Sequence, residues 1–335
     1  MAPAFIRSEV SLYAALPALA QLYGRAAIDT LHERVGEEEQ LRSRQSPDDD
    51  ETLNGAWGRI LAVGGRRDGD SAGIYGDRGP RINYQLYAFQ VGADLYRRED
   101  EDGIRTHAGV YGVLGRAKGK VHNWDGRLAG HDQVDAWSLG AYATRFWKKG
   151  AYLDGVVQFS WFDAKAQSVR LPQMKGDAKA LALSLEGGKP FHQKHDWIVE
   201  PQGQLIYQHF HGGKGRDEGG PVRFDQTDSL VGRLGVRVAR TWSRKTDEGE
   251  TRLTTGWARL NLWHEFLDQP KTTFQTEDAD LSFLADTGQD WLELNLGTTR
   301  QMSRRSVVYF NASYQWDLDG QGRAYSGKLG VRFNW

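Results

Sequence analysis

The chain has 335 residues, of which 39% are hydrophobic and 26% are charged, and its formal net charge is −1. The near-neutral balance gives no indication of nucleic-acid binding, and the absence of cysteine excludes disulfides and thiol chemistry. No run of about 18 apolar residues occurs, which excludes a transmembrane helix. Strands that show only every second side chain to lipid remain compatible with this hydropathy, and the 40 glycines and 12 tryptophans favour them.

Residues 8–35 form the clearest helical pattern in the chain. Apolar residues recur there at every third or fourth position, and Ser8 is suited to be the N-cap. Pro17 predicts a break that divides the stretch into a short helix and a longer one. A polar, acidic linker follows, so we assign the helix and linker to residues 1–50. The chain start carries no leader pattern, and we expect a larger exported precursor.

After the linker the hydrophobic period changes to two, which predicts strands. Most of them have about a dozen residues, enough to cross a bilayer at a tilt of about 45°. A soluble antiparallel sheet would also alternate, although soluble strands average only about half this length. The twelve predicted strands are 54–66, 81–97, 105–117, 133–148, 150–165, 177–190, 196–210, 228–242, 251–266, 290–302, 306–317 and 323–335.

Links after predicted strands 1, 3, 5, 7 and 9 are long, and links after strands 2, 4, 6, 8 and 10 are mostly shorter. The last link, Leu318–Gly322, is short and does not follow this parity. Outer-membrane barrels have long extracellular loops and short periplasmic turns, so this parity predicts a periplasmic carboxyl terminus at Trp335. Residues 271–284 are long enough to hold an extra surface hairpin. One α-helix is about 10–12 Å across and would roughly fill a twelve-strand lumen. We therefore predict an all-β fold, a 12-stranded antiparallel transmembrane β-barrel over residues 51–335, with the N-terminal α-helix inside the lumen.

Two segments resemble a known family. The first precedes the predicted barrel and resembles the corresponding segment of classical monomeric autotransporters of the pertactin and AIDA type. The second is the carboxyl terminus, which resembles the barrel-assembly signal of outer-membrane proteins through Lys328, Gly330, Phe333 and Trp335. The stretches that carry the family resemblance are Arg7–Tyr13, Ala15–Pro17, Tyr23–Gly24, Thr30–Glu37, Trp57–Arg59, Gln90–Asp94 and Gly109–Tyr111.

The resemblance implies a translocator that inserts in the bacterial outer membrane and exports or anchors an N-terminal passenger domain on the cell surface. The implied partners are outer-membrane lipid, the barrel-assembly machinery, periplasmic chaperones and a covalently linked passenger. We expect a monomer that needs no cofactor and is not an enzyme. The alternatives are a passive outer-membrane porin, which would start directly with a strand, and an outer-membrane hydrolase barrel.

The charged residues of the helix are the main candidates for functional contacts. We expect Arg25, Asp29, Glu33 and Arg34 to pair with inward-facing wall charges, because a charge in a narrow lumen needs a partner or water. The main wall candidates are Glu200, Arg233 and Arg237, and the other charges on inward-facing strand positions are Asp154, Arg259, Glu293 and Arg332.

Three acids are weak candidates for a catalytic role. Some autotransporters release their passenger by self-cleavage in the lumen, where an acidic side chain activates a peptide amide or water. Glu9, Asp29 and Asp154 fit this description, although ordinary ion pairing is the favoured alternative.

Two further groups of side chains have simple explanations. His209 and His211 lack a third metal ligand, so we expect no metal site there. We expect Trp57, Trp161, Trp242, Trp316 and Trp335 to be anchors at the lipid–water interfaces.

Overall fold

The computed structural model describes residues 7–35, 55–69, 79–218, 220–247, 249–267, 270–275, 280–285 and 288–335. Helix α1 spans Ser8–Ile28 and is followed by a 3₁₀ turn at Leu31–Val35. The strands are β1 (Gly55–Asp68), β2 (Arg81–Glu99), β3 (Arg105–His122), β4 (Leu128–Phe146), β5 (Tyr152–Ser168), β6 (Met174–Gly188), β7 (Phe191–His192), β8 (Trp197–His211), β9 (Lys214–Asp217), β10 (Gly220–Phe224), β11 (Thr227–Lys245), β12 (Thr251–Glu265), β13 (Lys271–Gln275), β14 (Asp280–Leu284), β15 (Asp290–Gln301), β16 (Ser306–Asp317) and β17 (Gly322–Asn334).

Twelve long strands form a closed antiparallel barrel in the order β1-β2-β3-β4-β5-β6-β8-β11-β12-β15-β16-β17. The last strand returns to the first, with Gly55 opposite Asn334, so the barrel has no free edge. The predicted twelve-stranded barrel with an N-terminal helix is therefore confirmed. The predicted boundary between residues 50 and 51 lies outside the described residues, as does the start of the first predicted strand.

Side chains alternate between an apolar outer face and a polar lumen. On β5, Leu153 and Phe159 are 42% and 52% exposed, whereas Asp154 and Gln158 are 2% and 0% exposed.

One predicted interfacial anchor is wrong. Trp57 lies in the lumen, where its indole Nε1 donates a hydrogen bond to the Tyr142 hydroxyl over 3.1 Å. The period of two explains the error, because outward-facing Ile60 fixes the odd-numbered residues of β1 inward.

The two ends of the barrel differ in the links between barrel strands. The long links 69–80, 212–226 and 266–289 lie at one end, which we call the long-loop end, and the opposite end, with the links 100–104, 147–151, 189–196, 246–250 and 302–305, is the short-turn end. The predicted parity is only partly right, because the other links at the long-loop end, 123–127, 169–173 and 318–321, have four or five residues.

The predicted hairpin in residues 271–284 is present as β13 and β14, which join β9 and β10 in a four-stranded sheet at the long-loop end. At this end β3 reaches His122, five residues past its predicted end, and β4 begins at Leu128, five residues before its predicted start. The prediction followed apolar alternation, which stops where the outward-facing residues become polar, from Arg116 on β3 and before Trp137 on β4.

Helix α1 runs through the lumen as one continuous helix, so the predicted break at Pro17 is wrong. Packing against the barrel wall on several sides overrides the local preference of proline. Ser8 is the first helical residue rather than the N-cap, which is Arg7, and the Ser8 hydroxyl accepts a hydrogen bond from Asn123 Nδ2 over 2.9 Å. In the described part of the chain, no helix has the length and apolar character needed to cross a membrane.

Candidate functional site: the helix in the barrel lumen

Apolar side chains along α1 pack mainly against one part of the barrel wall. Leu12, Leu19 and Tyr23 are almost fully buried, and the Tyr23 ring meets the Phe162 ring edge-on with centroids 6.1 Å apart. Gly115 on β3 makes room for this ring, since a Cβ there would lie 2.4 Å from the Tyr23 hydroxyl oxygen. The helix therefore contacts β3, β4 and β5 most extensively.

The carboxyl end of α1 is bound by polar groups from three wall strands. Arg59 Nη1 donates to the Thr30 carbonyl over 2.8 Å, and Gln90 Nε2 donates to the Ala27 carbonyl over 2.7 Å. Lys328 Nζ lies 3.1 Å from Asp29 Oδ1 and also donates to the Thr30 hydroxyl. The last carbonyls of a helix carry partial negative charge, so two wall cations stabilise this helix end.

A buried ion pair lies one turn further on. Arg34 donates to both carboxylate oxygens of Asp154, over 2.9 and 2.7 Å, and also to the Thr144 hydroxyl over 2.8 Å. The guanidinium also lies over the Tyr142 ring, 3.9 Å from its centroid. Arg34 and Asp154 are 1% and 2% exposed, so this is a fully buried bidentate pair.

The neighbouring residues of the 3₁₀ turn and the helix also contact the wall. Glu33 accepts hydrogen bonds from Arg259 Nη2 over 2.9 Å and from the Asn311 amide. The His32 ring stacks on Tyr152 with centroids 3.8 Å apart.

Arg25, the fourth helix residue predicted to contact the wall, meets an aromatic ring. Its guanidinium lies over the Trp291 ring, 4.3 Å from the centroid, an attractive cation–π geometry. A separate cavity of about 120 Å³ lies beside the 3₁₀ turn and is lined by Glu33, Glu200 and Arg259 among others.

The structure places the predicted wall partners in a second network. Arg233 lies 3.0 Å from Glu186 and donates to Gln204 over 3.0 Å, and Arg237 lies 3.9 Å from Glu200. These contacts join β6, β8 and β11 of the wall to one another. The side chains of Asp29, Glu33 and Arg34 meet Lys328, Arg259, Asn311, Asp154 and Thr144, of which Asp154 and Arg259 are predicted inward-facing charges.

The three acids with a possible cleavage role occupy different levels of the lumen. Glu9 lies at the long-loop end, where Ser168 donates its hydroxyl proton to Glu9 Oε1 over 2.7 Å. Asp29 and Asp154 lie closer to the short-turn end, and each is bound by a cation. The structure therefore does not bring the three carboxylates together.

The helix is also attached at the long-loop end. Arg7 Nη2 lies 3.0 Å from Asp217 in β9, and the Tyr13 ring stacks on Phe274 of β13 with centroids 6.0 Å apart. The four-stranded sheet thus contacts the beginning of the helix and partly covers this end of the lumen.

The carboxyl-terminal strand divides its residues between the two faces. Lys328 points into the lumen, and the Gly330 backbone lies under the Tyr309 ring, where a Cβ would clash at 2.1 Å. Phe333 and Trp335 are both 50% exposed on the outer face, with ring centroids 6.4 Å apart.

The two strand histidines show no metal-site geometry. His209 Nδ1 lies 2.7 Å from Asp228 Oδ1 on the outer face. Across the described ranges, no group of three or more His, Cys, Asp or Glu side chains is arranged to hold a metal ion.

Sequence reasoning gave Asp154 and Arg259 as inward-facing wall charges but missed other wall residues that bind the helix. Those are Arg59, Gln90, Asn311 and Lys328, all polar residues on inward-facing strand positions. Alternation gives their direction, so they could have been proposed as lumen residues. Their pairing with particular helix residues depends on the vertical position of the helix, which the pattern does not contain.

Comparison with known proteins identifies the family. The sequence profile of the autotransporter beta-domain matches residues 56–313 of this chain. The chain is 28% identical to the pertactin autotransporter of Bordetella parapertussis over 323 residues, which cover 95% of this chain and 32% of that protein. It is 21% identical to the Escherichia coli autotransporter adhesin AIDA-I over 281 residues, or 79% of this chain and 21% of that protein. The chain thus spans at most about a third of the length of these relatives.

Solved structures show the same fold. The transport unit of AIDA-I from Escherichia coli superposes with a TM-score of 0.70 at 19% identity, over 99% of this chain and all of that one. The translocator domain of NalP from Neisseria meningitidis gives a TM-score of 0.66 at 14% identity, over 97% of this chain and all of that one. With the sequence profile matching most of the chain, the protein belongs to the autotransporter beta-domain family of outer-membrane translocator barrels.

Proposed function

We propose that this barrel exports an N-terminally linked passenger domain through the outer membrane and anchors it at the cell surface. The observation that carries the proposal is the path of the helix through the lumen. Its first residues contact the sheet at the long-loop end, and its last residues bind Asp154 and Arg259 towards the short-turn end. In this proposal the passenger, joined ahead of Arg7, leaves the barrel at the long-loop end.

The orientation in the membrane follows from the asymmetry of the connections. Long loops face the outside in outer-membrane barrels, so we place the long-loop end outside and the carboxyl terminus in the periplasm. Lys328, Gly330, Phe333 and Trp335 then form the signal for the barrel-assembly machinery, after delivery by periplasmic chaperones. The closed wall supports a monomer as the working unit, and residues 1–50 act as plug and linker.

The lumenal acids have a structural role in this proposal. Asp29 and Asp154 are bound by Lys328 and Arg34, and a carboxylate bound to a cation is a poor base for activating a peptide amide. Glu9 accepts a hydrogen bond from Ser168 and lies at the opposite end from that pair. We therefore assign these acids to holding the helix rather than to cleaving the passenger.

Protease accessibility of epitope tags tests export and orientation together. One version carries a tag directly before Arg7, and a matched control carries the same tag in the turn at 147–151. Both are expressed with an export leader in a Gram-negative host, and protease is added to intact cells. We expect cleavage of the N-terminal tag and protection of the turn tag until the outer membrane is permeabilised. The reverse pattern would contradict both the orientation and the export function.

A further inference from the structure

The outer face of the barrel carries a basic patch on one side of its long-loop end. It lies on the outward-facing positions of β3 to β6, beyond the apolar belt. Its cations are Arg116, Lys118, Lys120, Lys165, Lys175 and Lys179, and its carboxylates are Asp135, Asp163 and Asp177. Six cations against three carboxylates leave a net charge of about +3, although the whole chain carries −1.

Two exposed tryptophans give the position of this patch relative to the lipid-facing band of the barrel. Trp137 and Trp147 both face outward and lie ten residues apart, being 43% and 39% exposed. Ten residues at about 3.3 Å each, tilted by about 40°, rise about 25 Å, which is the height of the lipid-facing band of such barrels. Trp137 stacks on Trp161 of the next strand with centroids 3.9 Å apart, which marks the upper edge of that band.

The basic residues follow directly above this edge. Strand register places Lys118, Gln133, Lys165 and Lys175 in one row across β3 to β6. This row lies four residues beyond the Trp137–Trp161 level, or about 10 Å higher at the same tilt. That is the level of the lipid headgroups, which begin where the hydrocarbon ends.

Most of these lysines have no carboxylate partner in the part of the chain that the structure describes. Two of the cations are paired with one acid of the patch. Arg116 binds Asp135, and Lys165 Nζ lies 3.6 Å from the same carboxylate. Lys118, Lys120 and Lys175 are exposed and form no ion pair with any described residue. Unpaired ammonium groups at the headgroup level attract phosphate.

The outward-facing charges at this end differ around the barrel. On β8, β11, β12 and β15, the carboxylates Asp228 and Asp290 lie 2.7 Å from His209 and His264. On β1, β2 and β17, the outward cations are Arg66, Arg81 and Arg323, and Asp68 binds the first two. Among the described residues, β3 to β6 therefore carry the larger group of lysines without a carboxylate partner.

We infer that this patch binds the phosphate groups of a phosphorylated glycolipid of the outer leaflet, with Lys118, Lys120 and Lys175 as the main contacts. From β3 to β6 the patch is about 14 Å wide, since neighbouring strands lie about 4.8 Å apart. It thus offers cations to more than one phosphate of a single headgroup. The inference rests on the proposed orientation, in which the long-loop end faces the outer leaflet.

Binding measurements in zwitterionic micelles test the patch. The probes are diphosphoryl lipid A, monophosphoryl lipid A and inorganic phosphate, added to the purified full chain with chelator present and followed by native mass spectrometry. The variant K118Q/K120Q/K175Q is compared with K148Q/K149Q/K194Q, which removes three exposed lysines at the short-turn end. Migration of unboiled samples on a gel checks that both variants are folded, and K118Q and K175Q alone replace the triple variant if it fails this check.

We expect diphosphoryl lipid A to bind more tightly than monophosphoryl lipid A to the wild type and to the control variant. Each lysine near an anionic headgroup contributes about fivefold, so the patch variant should bind on the order of 100-fold more weakly. Equal binding by the two triple variants would overturn the inference. Inorganic phosphate binding as tightly as lipid A would overturn the lipid assignment. Micelles have no sidedness, so these outcomes are independent of the tag experiment that decides export.

Discussion

The buried pair between Arg34 and Asp154 should be one of the strongest single contacts that hold the helix in the lumen. Arg34→Gln leaves the Asp154 carboxylate, 2% exposed, with the Thr144 hydroxyl at 2.6 Å and His32 at 3.6 Å. Removing one partner of a buried pair costs about 3–5 kcal/mol, because the remaining charge is left desolvated without its counterion. Asp154→Asn should cost a similar amount, since it leaves the Arg34 guanidinium without a carboxylate.

The double variant distinguishes this pair from simple packing. R34Q/D154N removes both charges at once, so its loss of stability should be smaller than the sum of the single losses by about 2–3 kcal/mol. The measurement is the free energy of unfolding of the four proteins in micelles, from denaturant titrations followed by tryptophan fluorescence. The control cycle uses Arg116 and Asp135, a pair on the outer face whose side chains are 50% and 27% exposed. Its coupling should stay below about 1 kcal/mol. Equal coupling energies in the two cycles would refute the reasoning.

Further variants test the remaining contacts. Gly115→Ala should lower the free energy of unfolding by about 1–3 kcal/mol, because its Cβ would crowd the helix tyrosine, whereas Gly112→Ala, with its nearest atom at 3.9 Å, should be near neutral. Deleting Phe333–Trp335 should sharply reduce membrane insertion in cells, measured as heat-modifiable barrel in the outer-membrane fraction; unchanged insertion would count against the assembly signal. Lys328→Met should cost about 3–5 kcal/mol by leaving Asp29 unpaired, and Lys148→Met at the surface should change stability by less than about 0.5 kcal/mol.

The fold was predictable because its pattern is carried by many residues at once. Alternation along each strand fixed strand number, the inner and outer faces, and the parity of the connections. The placement of a single residue follows less directly from such a pattern. Trp57 was assigned to the lipid interface from its residue type, although the parity of β1 places it in the lumen.

The helix shows the same difference: its place in the chain was predictable from a pattern of many residues, but its individual contacts were not. The helical period predicted where the helix lies in the chain, but Pro17 did not break it, because packing against the wall outweighs a local preference. The helix residues Asp29, Glu33 and Arg34 were identified from their charge. Their partners could not be identified, because the pairing depends on the height and rotation of the helix in the barrel. Those two quantities are set by three-dimensional packing, such as the fit of Tyr23 over Gly115.

Single-channel conductance in planar bilayers tests the central claim that the helix fills the lumen of a translocator. The full chain is compared with a truncation that lacks residues 1–35 and retains the complete barrel. We predict small conductance for the full chain and large, stable conductance for the truncation, because removal of the helix leaves a polar lumen open to water. Equal and large conductance from both proteins would contradict the account, since it would place the helix outside the pore and favour a passive porin.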